Sequence, residues 1–181
     1  LSKTTLRREA DWRRLIGQLR TLYAGRLTYA ANWGEEFETL RFWDALDLIG
    51  LDCYYPLSNK AAADDRELQA GFVAVQRRIE TVCRRYNKPM LFTEIGFSSV
   101  EAPWQAPHLD GYDRPANGEH QARCYQVVLE NLFDQPWCRG LFWWKWPTDP
   151  AYQGRHPGKG FPPNGKPAEK TVAEYYQRMN R

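Results

Sequence analysis

Glu94 stands near the end of an otherwise apolar run, Pro89-Met90-Leu91-Phe92-Thr93-Glu94-Ile95. An ionised carboxylate in such a place is costly unless it is hydrogen-bonded or paired, so its presence calls for an explanation in chemistry. A carboxylate held at a strand end can serve as a nucleophile, whereas the plainer alternative is a rim Glu paired with a Lys or Arg. Three further apolar runs end in polar or aromatic residues: Asn32 and Trp33, Asp52 and Tyr54, and Trp144, Lys145 and Trp146. Indole and phenol rings combine a flat apolar face with a polar edge, a shape that suits the axial C–H face of a sugar ring as well as it suits a core.

These residues need elements to carry them, and the pattern around them supplies alternating helices and buried strands. Trp12, Leu15, Ile16, Leu19, Leu22 and Tyr23 recur at spacings of three and four, which predicts an amphipathic helix over residues 9–23, stopped by Gly25. The uncharged run 27–33 predicts a strand buried on both faces. A poorly periodic helical piece over 35–45, a strand over 48–55 ended by Pro56, a helix over 65–86 and a strand over 89–95 follow. After a polar, proline-rich loop over 98–118, the chain repeats the cycle with a helix over 119–133 and a strand over 140–146. A Gly- and Pro-rich loop over 149–167 leads to a last helix over 168–179.

Four such units predict an α/β fold with parallel strands and outer helices in one domain, residues 1–181. A doubly wound sheet would carry a Gly-rich phosphate loop after an early strand, and none is present. In a (β/α)8 TIM barrel functional residues cluster at C-terminal strand ends, as they do here, but a complete barrel takes about 250 residues. The expectation is therefore half a barrel.

Alternation along each strand sorts the side chains further. Met90, Phe92 and Glu94 share a face, so if Glu94 points to the barrel axis the other two fill the barrel interior. Gly50, Asp52 and Tyr54 share one face of the second strand, while Ile49, Leu51, Cys53 and Tyr55 turn to the helices. Phe142, Trp144 and Trp146 fall together on the last strand, with Lys145 directed outward.

Composition excludes several classes. The 25 Lys and Arg against 22 Asp and Glu give a net charge of +3, with no clustered basic stretch, so no nucleic acid or polyanionic partner is implied. No apolar run approaches the ~20 residues of a membrane span. Cys53, Cys83, Cys124 and Cys138 form no CxxC or Cys/His pattern, so no metal site or redox motif is indicated and they read as small buried hydrophobes. With 8 Trp, 10 Tyr and 8 Phe the chain is rich in rings, and most of them are assigned to packing. No cofactor is expected. The start, Leu1-Ser2-Lys3, has neither an initiating Met nor a signal-peptide apolar region, so the natural start is expected elsewhere and no compartment is read.

Four motifs in order carry a family resemblance over nearly the whole chain. They are Leu27-Thr28-Tyr29-Ala30-Ala31-Asn32-Trp33, Ile49-Gly50-Leu51-Asp52-Cys53-Tyr54-Tyr55-Pro56-Leu57-Ser58, Lys88-Pro89-Met90-Leu91-Phe92-Thr93-Glu94-Ile95-Gly96 and Gly140-Leu141-Phe142-Trp143-Trp144-Lys145-Trp146. Together with Glu119-His120-Gln121-Ala122-Arg123-Cys124-Tyr125 and Gly165-Lys166-Pro167-Ala168, the chain resembles glycoside hydrolase family 113. The resemblance implies a retaining (β/α)8-barrel hydrolase of β-1,4-mannan, with strands five to eight present. It also implies Glu94 as nucleophile, Tyr54 as the tyrosine that hydrogen-bonds it and Trp144 beneath the reacting sugar, with Asn32, Trp33, Asp52 and Trp146 as further substrate-binding residues.

Retaining hydrolysis needs a second carboxyl group about 5 to 5.5 Å from the first. By the resemblance this acid/base Glu lies just ahead of Leu1-Ser2-Lys3, so the chain is expected to begin after it. Glu9, Glu35 and Glu36 are the nearest substitutes and none fits the required place. The expected partners are an oligo- or polysaccharide and the missing N-terminal half or a second chain. The competing reading is a non-catalytic glycan-binding half-barrel, or a subunit that completes a barrel with another chain. Trp104 and Tyr152, in the two long loops, are expected to shape outer subsites.

Overall fold

The computed structural model describes residues 2–149, 151–152, 156 and 158–179, which group into two compact units. The first takes the residues up to Cys53, Arg77–Glu94 and Pro136–Leu141. The second takes Tyr54–Gln76, Ile95–Gln135 and the residues from Phe142 onward.

The first unit opens with helix α1 (Ser2–Arg7), a polar turn without an apolar stripe that the spacing rules did not foresee, and α2 (Glu9–Leu22). Of the predicted α2 stripe Ile16 is buried, whereas Leu15, Leu19 and Leu22 are exposed. Amphipathic spacing identifies an apolar face but does not by itself cover it. Strand β1 is shorter than predicted, Ala30–Asn32, and ahead of it Leu27 and Thr28 are held to Asp47 and Leu48 partly through side chains. There the Leu27 amide donates to the Asp47 carboxylate at 2.7 Å and the Thr28 hydroxyl to the Leu48 carbonyl at 2.9 Å. The helical piece after β1 splits into α3 (Glu35–Thr39) and a 3-10 turn, Phe42–Ala45.

Strand β2 (Ile49–Cys53) pairs with β1 in parallel, with Ala30 opposite Gly50 and Asn32 opposite Asp52. Helix α4 occupies Asp65–Tyr86, the predicted range, and enters the first unit at Arg77. Strands β3 (Met90–Ile95) and β4 (Cys138–Trp143) complete a sheet of order β1-β2-β3-β4. A strictly sequential order is that of a (β/α)8 barrel; a doubly wound sheet reverses at a switch point. β4 starts and stops earlier than predicted, which leaves Trp144, Lys145 and Trp146 beyond the strand.

The core of the first unit is aromatic where α2 meets the segment around β1. Trp12 stacks on Phe42 at 5.7 Å between ring centroids and meets the edge of Tyr29 at 5.0 Å. Trp43, wholly buried, donates its indole N–H to the Phe37 carbonyl at 3.3 Å, which satisfies the one polar atom such a ring brings inside.

The second unit is organised by α5 (Gly118–Leu132) and α6 (Pro167–Met179). Asn117 caps α5 by accepting from the His120 amide at 3.0 Å. Ala122, Tyr125, Val128, Leu129 and Leu132 are buried, as the spacing requires. The four cysteines are free thiols, three buried and Cys138 partly so. Among the described residues no helix is long and apolar enough to cross a membrane.

Candidate active site

Each strand end of the first unit holds a polar side chain through bonds that cross between elements. Asn32 and Asp52 lie side by side in the parallel register, and the Trp33 amide extends the ladder by donating to the Asp52 carbonyl at 3.2 Å. From β3 the Thr93 hydroxyl donates to Asp52 Oδ1 at 2.7 Å. Glu94, the next residue, is half-buried near the end of the strand.

On β3 Met90 and Phe92 are wholly buried core residues, while Leu91 and Thr93 are part-exposed, and Thr93 reaches Asp52. On β2 the expected sorting holds only in part, because Gly50 and Tyr54 are buried as well. Ile49, Leu51, Cys53 and Tyr55 are buried, and Asp52 remains part-exposed.

The electrostatics of the cluster follow from its packing. Burial pushes the Asp52 carboxyl above the usual carboxylate range; the Thr93 hydrogen bond opposes this, and the charges of Glu94 and Glu36 add to it. Glu36 is the residue that spacing alone undervalued. It is 1% exposed, yet its carboxylate accepts from the Tyr29 hydroxyl at 2.8 Å, from the Asn32 amide at 3.0 Å and from Asn32 Nδ2 at 2.8 Å. Burial raises its carboxyl, but the bonds from Asn32, Tyr29 and Thr5 outweigh this and hold it below the ordinary value. Glu36 is thus an ionised anchor for Asn32 rather than a proton donor. Glu9 is engaged with Arg13 at 2.8 Å.

The second unit holds Tyr54, Trp144 and Trp146. Tyr54 is buried, at 9% exposure, whereas Trp144 and Trp146 are exposed at 42% and 43%. Trp143, of the opposite parity, stacks on Tyr125 at 4.2 Å and 16° and donates its indole N–H to the Tyr176 hydroxyl at 3.2 Å. The Trp144 amide donates to the Ile95 carbonyl at 2.7 Å, and a Cβ on Gly96 would collide with the Trp144 carbonyl. Backbone contact on both sides therefore fixes Trp144. A cavity of about 320 Å³ lies beside it, lined by Asp110, Tyr112, Trp144, Lys145, Tyr152 and Phe161. Lys145 is exposed, and its ammonium sits 5.8 Å from the Tyr152 ring centroid.

Glycoside Hydrolase Family 113 has a sequence profile, and that profile matches residues 2–166. The chain belongs to this family.

Solved family 113 structures agree. The chain is 32% identical to a β-1,4-mannanase of the family solved as a complex, with a TM-score of 0.76, covering 96% of this chain and 52% of that one. A family 113 β-mannanase from Alicyclobacillus acidocaldarius gives 32% identity and a TM-score of 0.78 over 97% of this chain and 52% of that one. A family 2 β-galacturonidase from Eisenbergiella tayi, at 16% identity and a TM-score of 0.62, shares the fold alone over 94% of this chain and 30% of that one. The chain spans about half the length of the family 113 structures it matches. No curated protein matches.

Within this family 113 chain the structure brings Asn32, Trp33, Asp52, Thr93 and Glu94 together at adjoining strand ends. It removes Trp104 from the outer surface. That ring is wholly buried, donates to the Lys60 carbonyl at 2.8 Å and lies under the Arg123 guanidinium at 5.0 Å, so it is a packing residue. Tyr152 lines the cavity beside Trp144, while residues 150, 153–155 and 157 of its loop lie outside the described residues.

Proposed function

We propose that this chain supplies strands five to eight of a retaining hydrolase of β-1,4-mannan and carries its nucleophile, Glu94. The observation that carries the proposal is the placing of Glu94 near the end of a buried family 113 strand, next to the Thr93–Asp52 hydrogen bond. Two solved structures of family 113 β-1,4-mannanase, at 32% identity, support the substrate class.

In this reading a Glu94 oxygen attacks the anomeric carbon as the bond to the leaving oxygen breaks, and water later releases the sugar. Asp52, whose carboxyl burial raises and Thr93 holds by a hydrogen bond, stands on the neighbouring strand as a substrate-binding residue. By the family resemblance Tyr54 is assigned to supporting the nucleophile, Trp144 to the reacting sugar, and Asn32, Trp33 and Trp146 to substrate binding. The leaving oxygen also needs a proton, and Glu9, Glu35 and Glu36 do not supply it. A leaving group able to depart as a stable anion bypasses that need.

The test uses such a leaving group. A 2-deoxy-2-fluoro-β-mannoside with a dinitrophenolate leaving group is expected to add one fluorosugar to the Glu94 peptide, read by mass spectrometry, and none to Glu94→Gln. Labelling that is unchanged in Glu94→Gln sinks the assignment.

A further inference from the structure

Lys166 is a half-buried lysine that pairs with no carboxylate among the described residues. Burial pushes its ammonium down to about 8. Its bonds go instead to a short stretch of loop. Nζ donates to the Gly160 carbonyl at 2.9 Å and to Ser99 Oγ at 2.8 Å. Ser99, wholly buried, donates a hydrogen bond from its hydroxyl to the Gly158 carbonyl at 2.8 Å, and its amide donates to the Gly160 carbonyl at 3.2 Å. Next along, Gln121 Nε2 donates to the Phe161 carbonyl at 2.9 Å and the Lys159 ammonium to the Tyr112 carbonyl at 3.1 Å. Gly160, Phe161 and Pro162 line the cavity that also contains Trp144, and Tyr112 lines it too.

A desolvated ammonium without a counter-charge is a poor way to stabilise a fold, because an apolar side chain of similar length would avoid the desolvation cost. What Lys166 provides that an apolar residue cannot is direction. Three donors on one atom can tie the Ser99 hydroxyl and a loop carbonyl into a single geometry.

We propose that Lys166, acting through Ser99, is a positioning residue that fixes the 158–162 wall of the Trp144 cavity and thereby sets the fit of a neutral β-linked hexose there. Its ligand half rests on the glycosidase reading above; its positioning half does not.

The experiment follows the indole N–H resonance of Trp144, assigned with Trp144→Phe, in the ¹⁵N-labelled chain with and without mannotriose. In Lys166→Met the resonance is expected to move before any sugar is added. Mannotriose binding should weaken roughly tenfold, the scale of one lost charge-assisted hydrogen bond. Lys166→Arg should recover part of both effects. Ser99→Ala, a smaller change in volume, should shift the same resonance and serves if Lys166→Met does not fold. An unchanged resonance in Lys166→Met and Ser99→Ala overturns the proposal. If the parent chain binds no mannotriose, the substrate reading fails, and the sugar-free resonance still decides whether Lys166 positions the wall.

Discussion

The Thr93 hydroxyl donates to Asp52 Oδ1 at 2.7 Å, from β3 to its neighbour β2. One bond thus ties the residue preceding Glu94 to the carboxyl that burial holds above its ordinary range.

Asp52→Asn keeps an acceptor for Thr93 and removes the charge. A carboxyl raised on folding binds its proton more tightly in the native state, so its contribution is full below the unfolded value and is lost as pH rises through the raised one. The melting temperature of Asp52→Asn, relative to the parent, should therefore rise between about pH 4 and pH 7. Calorimetric scans across that range check the sign, and a flat difference counts against it.

Glu36 behaves in the opposite sense. Its carboxyl is lowered on folding, so its stabilisation is present above the unfolded value and fades as pH falls through the lowered one. Glu36→Ala strips the acceptor from the Tyr29 hydroxyl and from both Asn32 donors, and should cost about 2 to 4 kcal/mol at pH 7. Urea titrations at pH 7 and pH 3 should show the gap narrowing at the lower pH.

Trp143 and Trp144 should separate stability from binding. Trp143→Ala loses the Tyr125 stack and the Tyr176 bond and should cost about 3 to 5 kcal/mol. Trp144→Ala, at an exposed ring, should cost under about 1 kcal/mol yet abolish mannotriose binding. Parallel denaturation and calorimetric titration distinguish the two.

Gly96→Ala places a methyl group against the Trp144 carbonyl, and that contact is backbone, so the Trp144 segment must move. A loss of about 1 to 3 kcal/mol is expected, together with a displaced Trp144 indole resonance. An Ala variant with unchanged stability and spectrum would show that the close approach is dispensable.

Much of the architecture was legible in the chain. Periodicity of three and four marked α4 at its observed bounds and the buried face of α5, because helix spacing depends only on local geometry. Alternation on β2 agreed with the burial of Ile49, Leu51 and Cys53 and the partial exposure of Asp52. The sequential order of βα units without a phosphate loop already favoured a barrel over a doubly wound sheet.

Tertiary structure decided what local rules leave open. β4 ends at Trp143, so alternation could not be carried to Trp144 and Trp146. On β3 Thr93 reaches Asp52 while Met90 and Phe92 are wholly buried, a difference that two faces both apolar in sequence do not reveal. Trp104 lies in a polar loop yet is sealed by Arg123 and the Lys60 carbonyl. Glu36 and Lys166 carry ordinary surface side chains, and only packing shows Glu36 buried and bonded to Asn32 and Lys166 half-buried and bonded to Ser99. The sequence by itself determined the elements and the residue types at their ends, because those follow from short-range sterics and apolar spacing. The pairing of Asp52 with Thr93 across 41 positions, and of Lys166 with Ser99 across 67, was decided by strand register and loop packing, whose energy is gained only once distant segments meet.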